Sequence, residues 1–381
     1  MPTPTRPQQA TGTDCFPMAA STARDWREAV AECVRRIGTG HGADLGFVYA
    51  TDAWADAFPT IVGTLREQTG IAHWVGTVGT GICWTGHEHY EAPGLAVMAA
   101  PLPDESWRLL PPLREDMSPL AEHASWLGRL ESCIGIVHGD PHNPHMPRLV
   151  AQLAGLLPNG FLVGGLTSSR AAHPQVAGTS AQGCLAGVLI DGALGVRTAL
   201  TQGCTPIGGR HVVTECERNI LIGIDGRPAL DVFEEEIGEV LARDLRRAAG
   251  YIFVGFPVPG SDTGDYLVRN VVGVDMRHRL LAVGDLLEPG QPLMFCRRDA
   301  NTAWTDLERM LDEIAARLDR PPRGALYFSC LGRGRHTFGE GSRELGLIRE
   351  RLGEVPLVGF FANGEIHRDR LYGWTGVLAV F

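Results

Sequence analysis

The chain of 381 residues contains no lysine, and its 34 basic residues are all arginine. The absence of lysine excludes a Walker A nucleotide site and any enzyme that forms a Schiff base through a lysine. The formal net charge of −10 argues against nucleic acid as the main partner, because phosphate backbones bind basic surfaces.

Long apolar runs and paired cysteines are also missing. No stretch approaches the roughly 18 apolar residues of a membrane-spanning helix, and no signal-peptide pattern opens the sequence. The nine cysteines lie far apart and never form Cys-x-x-Cys, which is typical of reduced thiols. We therefore expect a cytoplasmic protein without a membrane span.

Several enzyme and metal motifs are absent as well. The sequence has no Gly-x-Ser-x-Gly, no His-Glu-x-x-His and no clean Gly-x-Gly-x-x-Gly, so hydrolase, zinc protease and dinucleotide-binding interpretations lack support. Histidines cluster at 87 and 89 and again at His138, His142 and His145, where a metal site is one interpretation. Prolines around His142 exclude a shared helix face, so surface-loop histidines are favoured and we predict no metal.

Three segments of the chain share one order of elements: strand, helix, strand, glycine-containing polar loop, strand. They begin near residues 45, 133 and 324, and aligning them places Gly76, Gly164 and Gly359 in register. This repetition predicts an α/β fold of mixed β-sheets flanked by helices, with two related lobes built from repeated strand-helix-strand-strand units. The loops after the three glycines are expected at corresponding strand ends.

The domain organisation follows from the same patterns. Residues 1–22 are rich in proline, threonine and glutamine and are predicted to be a disordered tail. Residues 23–216 are predicted to form one domain, opening with a helix at 24–37, and residues 217–381 a second. The segment at 203–210 is predicted to be a turn-rich crossing, and a long helix is predicted at 232–248.

The loop after the strand at 325–328 carries the most distinctive chemistry. Cys330 is interpreted either as a small buried hydrophobe or as a reactive thiol, since a nearby guanidinium favours the thiolate. Arg333, with glycine on both sides, suits a bidentate grip on an anion, and its alternative is a solvated loop charge. An enzyme with Cys330 as nucleophile and His336 as base is a further hypothesis.

The same region carries a family resemblance. Phe-Ser-Cys-Leu-Gly-Arg-Gly at 328–334, Gly-Phe-Phe-Ala-Asn-Gly-Glu-Ile at 359–366 and Leu-Tyr-Gly-Trp-Thr at 371–375 resemble the C-terminal half of the FIST family. Gly-Asp-Pro at 139–141 and Val-Gly-Gly at 163–165 resemble its N-terminal half. The resemblance implies a cytoplasmic sensory module for small ligands. No kinase, cyclase or receiver domain is evident, so a separate signalling protein is the expected partner.

Some members of that family are reported to bind haem and sense nitric oxide. No motif here fixes a haem-ligating histidine, so we predict no cofactor and keep haem as the alternative. The predicted ligand is a small polar or anionic metabolite, and no catalytic residue is assigned. The predicted binding residues come from the glycine-containing loops and are Cys330, Arg333, Gly334, Gly359, Phe360, Asn363, Glu365, Gly164, Gly165 and Thr167.

The sharpest expectation concerns Arg333. If it is a loop charge that grips an anion, Arg333→Ala weakens binding about ten- to a hundredfold and leaves the melting temperature almost unchanged.

Overall fold

The computed structural model describes residues 15–242, 251–258 and 266–381, with only the backbone at 239–242. The chain divides into two compact units that interleave along the sequence. The first runs to Thr201 and continues with Asp306–Leu371 and Thr375–Phe381, and the second comprises Gln202–Thr305 and Tyr372–Trp374. The predicted boundary between two domains, at residues 216 and 217, divides the sequence rather than these spatial units, and it stays a prediction.

The start of the chain differs from the predicted tail. Residues 1–14 lie outside the described residues, whereas Met18–Ser21 forms a strand, so this part of the predicted disordered segment is ordered.

The described helices include those predicted at 24–37 and at 232–248, which begin at Trp26 and Ala229. Their bounds are α1 Trp26–Ile37, α2 Phe58–Thr69, α3 Ala124–Leu127, α4 Met146–Leu156, α5 Ala229–Ala242, α6 Ala300–Ala316, α7 Arg335–Phe338 and α8 Arg343–Leu352. The C-terminal end of the helix predicted at 232–248 falls outside the described residues. Among the described helices, none has both the length and the apolar character needed to cross a membrane.

The described residues form 25 strands, of which thirteen precede residue 203 and twelve follow it. The first group is β1 Met18–Ser21, β2 Leu45–Thr51, β3 His73–Gly79, β4 Gly81–Trp84, β5 His87–Tyr90, β6 Leu95–Ala100, β7 Trp107–Leu113, β8 Cys133–Gly139, β9 Phe161–Leu166, β10 Gln175–Ala177, β11 Thr179–Ala181, β12 Leu185–Asp191 and β13 Arg197–Gln202. The second group is β14 Cys204–Glu217, β15 Ile220–Ile224, β16 Arg227–Pro228, β17 Ile252–Pro257, β18 Tyr266–Asp275, β19 Leu280–Val283, β20 Pro292–Arg298, β21 Ala325–Cys330, β22 Leu357–Ala362, β23 Glu365–Arg368, β24 Arg370–Tyr372 and β25 Thr375–Val380.

The repeats predicted from the sequence are confirmed, and all three lie in the first unit. Repeat 1 is β2, α2, β3 and β6, repeat 2 is β8, α4, β9 and β12, and repeat 3 is β21, α8, β22 and β25. In each repeat the first strand pairs in parallel with the second and antiparallel with the third. Gly76, Gly164 and Gly359 lie opposite equivalent residues of the first strands, so the chain after each glycine reaches the same end of its sheet.

The three sheets of the first unit also exchange strands. Each repeat sends a hairpin from the stretch before its third strand to the sheet of another repeat. The hairpin of β4 and β5 pairs with β22, that of β10 and β11 pairs with β3, and that of β23 and β24 pairs with β9. Because every sheet is completed by a strand from another repeat, no repeat completes its sheet alone.

One side chain from each repeat meets at the centre of this arrangement. Tyr49, His138 and Phe328 each follow the residue that pairs with the repeated glycine, and their ring centroids lie 5.5 to 6.2 Å apart. The Tyr49 hydroxyl and His138 Nε2 share a hydrogen bond of 3.1 Å. The prediction that His138 is a surface-loop histidine is therefore wrong: it is fully buried on β8. Burial lowers the pKa of His138 to about 3, so its imidazole is neutral.

Helix ends in the first unit follow ordinary capping chemistry. Asp25 precedes α1 and accepts the backbone N–H groups of Arg27 and Glu28, and Pro59 lies in the first turn of α2. Both helices bury an apolar face against β2, β3 and β6, and α4 does the same against repeat 2.

The second unit is built from antiparallel strands. Its order is β14-β20-β17-β18-β19-β15-β16, and β14 also pairs with β15, so the sheet closes on itself as a barrel. The apolar face of α5 packs with the interior residues of these strands. The predicted turn-rich crossing at 203–210 is wrong, because these residues belong largely to the long strand β14.

Candidate functional site

A buried carboxylate organises the loop that follows β21. Glu344, the second residue of α8, is fully buried and accepts four hydrogen bonds. The donors are the hydroxyls of Tyr327 (2.7 Å) and Ser329 (3.0 Å), the Nε of Arg333 (2.8 Å) and the backbone N–H of Gly334 (2.9 Å). The N-terminal end of a helix also favours a negative charge. The loop is therefore fixed to α8 rather than free in solvent.

Arg333 is the second charged group of this cluster, and it is not a loop charge. Only 1% of Arg333 is exposed, and its guanidinium lies 5.2 Å from the ring centroid of Phe338. Burial disfavours the cation, but the Glu344 carboxylate outweighs this and keeps the pKa of Arg333 above its usual value. Its Nη1 and Nη2 atoms are buried and have no hydrogen-bond partner among the described residues. Unpaired N–H groups of a buried cation are costly, and they are usually satisfied by water or a ligand.

Glu365 lies beside this arginine. It is fully buried at the start of β23, and its Oε2 accepts the N–H (3.2 Å) and the hydroxyl (2.7 Å) of Thr375. Its Oε1 has no partner among the described residues. Burial raises the pKa of Glu365 to about 8, although hydrogen bonds from Thr375 and Cys330 and the charge of Arg333 oppose the shift. Arg333 and Glu365 are thus close enough to interact electrostatically, and each has buried polar atoms without a hydrogen-bond partner among the described residues.

The exchanged hairpin of β4 and β5 supports the cluster from repeat 1. Glu88 accepts the Tyr90 hydroxyl at 2.7 Å and the backbone N–H groups of Glu344 and Leu345, at the first turn of α8. Burial and the neighbouring Glu344 raise the pKa of Glu88 to about 7. Glu88 therefore caps α8, although it lies 256 positions before Glu344 in the chain.

A pH dependence of stability follows from the carboxyl group of Glu365. Its pKa rises from 4.5 to about 8 on folding, so between these values the folded protein holds a proton that the unfolded chain has released. Raising the pH across this interval therefore favours unfolding. We expect Tm to fall from about pH 5 to about pH 8, and Glu365→Gln to reduce this loss by at least about 1 kcal/mol, or roughly 2–4 °C.

The check is a series of thermal melts over this pH interval. Glu340→Gln serves as the matched control, since Glu340 is exposed in the same region of the chain. An equal slope in wild type and Glu365→Gln would show that Glu365 is ionised at the same pH in the folded and unfolded states.

The structure brings some of the predicted binding residues together and places others in strands. Gly165 pairs with Glu365 across β9 and β23, and Phe360 packs 5.4 Å from the ring of Tyr49. Thr167 is fully buried, and its hydroxyl hydrogen-bonds to Thr77 and accepts the Gln175 amide.

The remaining predicted residues differ in exposure. Gly164 and Gly359 are buried under the backbone of the neighbouring strand, and Gly334, with φ of 52°, is buried too. Cys330 is partly exposed and Asn363 is exposed. The ligand contacts of all ten residues stay predictions.

Sequence reasoning missed Glu344, Tyr327, Ser329 and Glu88. Tyr327 and Ser329 are two positions apart on β21 and therefore share one face of the strand, a signal visible in the sequence. Nothing local marks Glu88, because it reaches the cluster through the exchanged hairpin.

Two surface pockets of the described chain lie elsewhere. One, of about 760 Å³, is lined by Arg218 and residues 286–291 of the second unit. The other, of about 250 Å³, is lined by residues 193–195, 317–320 and the last two residues of the first unit, with Arg197. The Arg333 cluster itself is a buried polar site next to the partly exposed residues 330–332.

A haem at His138 does not fit this structure. Its Nε2 is shared with the Tyr49 hydroxyl, and the rings of Phe328 and Phe360 lie 5.9 and 5.8 Å from the imidazole. For the other histidines the prediction of no haem stays a prediction, and a Soret band in the purified protein would overturn it.

Comparison with known proteins places the whole arrangement in a family. The FIST N domain matches residues 44–227, and the FIST C domain matches residues 229–368. Uncharacterized protein MT0656 of Mycobacterium tuberculosis (strain CDC 1551 / Oshkosh) is 29% identical over 384 residues, covering 96% of this chain and 98% of that protein. Uncharacterized protein Mb0898c of Mycobacterium bovis is 35% identical over 210 residues, covering 51% of this chain and 54% of that protein. The chain belongs to the FIST family, whose domains are regarded as sensory domains of signal transduction.

Proposed function

We propose that this protein is a cytoplasmic sensory module that binds a small polar or anionic metabolite at Arg333 and Glu365 and signals through a separate partner protein. The observation that carries the proposal is the pair of unpartnered Arg333 nitrogens, buried beside an unpartnered oxygen of Glu365. A guanidinium with both terminal nitrogens available matches the fork of a carboxylate or phosphate.

The second carboxyl group narrows the chemistry of the ligand. Glu365 Oε1 accepts a hydrogen bond when ionised and donates one when protonated, and its pKa of about 8 places this change near neutral pH. The proposed ligand therefore carries an acceptor for Arg333 and a second polar group for Glu365. A charged hydrogen bond of this kind contributes roughly 1.5–3 kcal/mol.

Access to the site is expected to run past the loop. Cys330, Leu331 and Gly332 are partly exposed, whereas Arg333 and Gly334 beneath them are buried. Leu331 N–H donates to the Ala362 carbonyl at 3.0 Å, a contact that opening of the loop would break. A loop that moves when ligand enters is a means of passing a signal to a partner.

The proposal predicts ligand-dependent stabilisation that requires Glu365. Thermal melts are measured with small mono- and dicarboxylates and with inorganic phosphate as probes. A probe at 100 times its Kd stabilises the folded state by about 2.7 kcal/mol. We expect at least one probe to raise Tm of the wild type, and Glu365→Gln to weaken its affinity about tenfold or more.

Arg335→Ala is the matched control for this experiment. Arg335 lies two residues from Arg333 but is paired with Glu91 near the surface, so its loss is expected to leave probe affinity unchanged. A stabilising probe that binds wild type and Glu365→Gln equally would move the site away from this cluster.

The hypothesis of an enzyme with Cys330 as nucleophile stays a prediction. The Cys330 thiol hydrogen-bonds to Glu365 and lies near enough to Arg333 to raise the pKa of the guanidinium, while His336 is exposed on α7. Catalytic turnover that disappears in Cys330→Ser is the result that would support it.

A further inference from the structure

Three side chains of metal-ligand type converge away from the Arg333 cluster. Asp140 follows β8, His142 lies two residues later, and His173 lies just before β10. The ligand atoms of these three residues all lie within 4.8 Å of one another. His142 Nδ1 is 3.2 Å from Asp140 Oδ1, and the two imidazole centroids are 4.4 Å apart. Residues from two separate stretches of chain thus present one carboxylate and two imidazoles to a common point.

The carboxylate is held in place by the backbone. Asp140 is 5% exposed, and its own N–H donates to the Cys184 carbonyl at 3.0 Å. Its Oδ2 accepts the Gly183 N–H at 2.9 Å and its Oδ1 accepts the His142 N–H at 2.9 Å. These bonds use one lone pair on each oxygen, so Asp140 keeps capacity to bind a cation.

The imidazole of His173 is oriented in a similar way. The ring hydrogen-bonds to the backbone of Ala171. The backbone carbonyl of His173 accepts a hydrogen bond from the side-chain amide of Gln175 at 2.7 Å. A metal-ligating histidine commonly donates its second ring nitrogen to a backbone carbonyl, which fixes the tautomer that ligates.

We propose that Asp140, His142 and His173 form a binding site for a divalent transition metal such as zinc. Two imidazoles and one carboxylate suit this class of metal, whereas magnesium and calcium prefer oxygen ligands alone. Ligand atoms around a tetrahedral zinc are about 3.3 Å apart, given bonds of roughly 2.0 Å. His142 Nδ1 and Asp140 Oδ1 already lie 3.2 Å apart, and the His142 side chain is 73% exposed, so it has room to adjust around a metal.

The site departs from the sequence-based prediction of no metal, which sets His142 beside His138 and His145. His138 is buried on β8 and belongs to the aromatic centre, and His145 is outside the cluster. His173 and Asp140 are the true neighbours, brought together because the segment that leads into β10 passes the end of β8. Three protein ligands leave further coordination positions for solvent or a ligand.

Metal titration of the full chain tests this inference. The protein is stripped with a chelator and titrated with Zn²⁺ by calorimetry and with Co²⁺ by absorption spectroscopy, whose ligand-field bands report tetrahedral nitrogen and oxygen ligation. We expect one saturable equivalent per chain, and a loss of affinity of at least about a hundredfold in His142→Ala and in His173→Ala. That loss corresponds to about 2.7 kcal/mol.

His145→Ala is the matched control, because His145 lies in the same loop and outside the cluster. Its affinity is expected to equal that of the wild type. His142 is exposed, so His142→Ala is expected to keep the melting temperature of the metal-free protein. Absence of a saturable equivalent in the wild type, or equal affinity in the His142→Ala/His173→Ala double variant, would overturn the assignment.

Discussion

Replacing Gly164 with alanine is expected to destabilise the first unit strongly. A Cβ atom at this position would lie 1.8 Å from the Val137 carbonyl oxygen, and φ of 150° is one that residues with a side chain rarely adopt. The neighbouring backbone cannot move away, because β9 is paired with β8 along its whole length. The equivalent contacts are 1.7 Å at Gly76 and 1.8 Å at Gly359.

The expected cost of each of these three substitutions is more than about 4 kcal/mol, which falls in the exceptional range for single changes. Total stabilities are roughly 5–15 kcal/mol, so such a loss removes a large share of the stability and leaves a marginal fold at the low end of that range. The measurement is soluble yield followed by denaturant unfolding, with the midpoint compared between variants.

Each repeat also supplies its own matched control. At Gly63 in α2, Gly155 in α4 and Gly346 in α8, an alanine Cβ would meet no atom within 4 Å, and none of the three has a positive φ. Alanine in a helix interior is favoured over glycine by about 0.5–1 kcal/mol, so these variants are expected to be slightly more stable than the wild type. A Gly164→Ala protein within about 1 kcal/mol of the wild type would contradict the close strand contact.

Arg333→Ala is expected to lower stability by about 3–5 kcal/mol, because removing one partner of a buried ion pair leaves the other charge uncompensated. Glu344 would lose the hydrogen bond from Arg333 Nε at 2.8 Å. Among the described residues, Arg333 supplies the only guanidinium that hydrogen-bonds to Glu344. This reverses the sequence-based expectation of an unchanged melting temperature, since that expectation assumes a solvated loop charge. A fall in Tm on the order of 10 °C is expected.

Two further variants make this result specific. Arg333→Lys is not expected to restore stability, because an ammonium does not reproduce the planar fork or its stacking on Phe338. Arg335→Ala, which removes a pair near the surface, is expected to cost less than about 1 kcal/mol. The measurement is a thermal melt of each variant without ligand. A Tm unchanged by Arg333→Ala would contradict the burial of Arg333 and show that it is a solvated loop charge.

The repeats are predictable from the sequence for a physical reason. Gly76, Gly164 and Gly359 recur because the second strand of each repeat passes too close to a neighbouring carbonyl for any side chain. Apolar runs and helical spacing around them then locate the strands and helices. Local patterns therefore carry the architecture of each repeat.

The exchange of hairpins could not be predicted, because no local pattern states which sheet edge a short strand joins. Glu88 reaches Glu344 only through that exchange. The burial of Arg333 escapes sequence reasoning for a related reason: glycines on both sides are typical of an exposed loop, whereas its partner lies eleven residues later on a helix. The site is set by tertiary contacts that the sequence does not display.

Native mass spectrometry shows directly whether a small molecule occupies the Arg333 and Glu365 site. Wild type, Glu365→Gln and Arg335→Ala are incubated with a mixture of small carboxylates and phosphates and exchanged into volatile buffer. We expect one added mass on the wild type and on Arg335→Ala, and its loss or strong reduction on Glu365→Gln. No added mass on the wild type, or the same occupancy in Glu365→Gln, would contradict the proposed site.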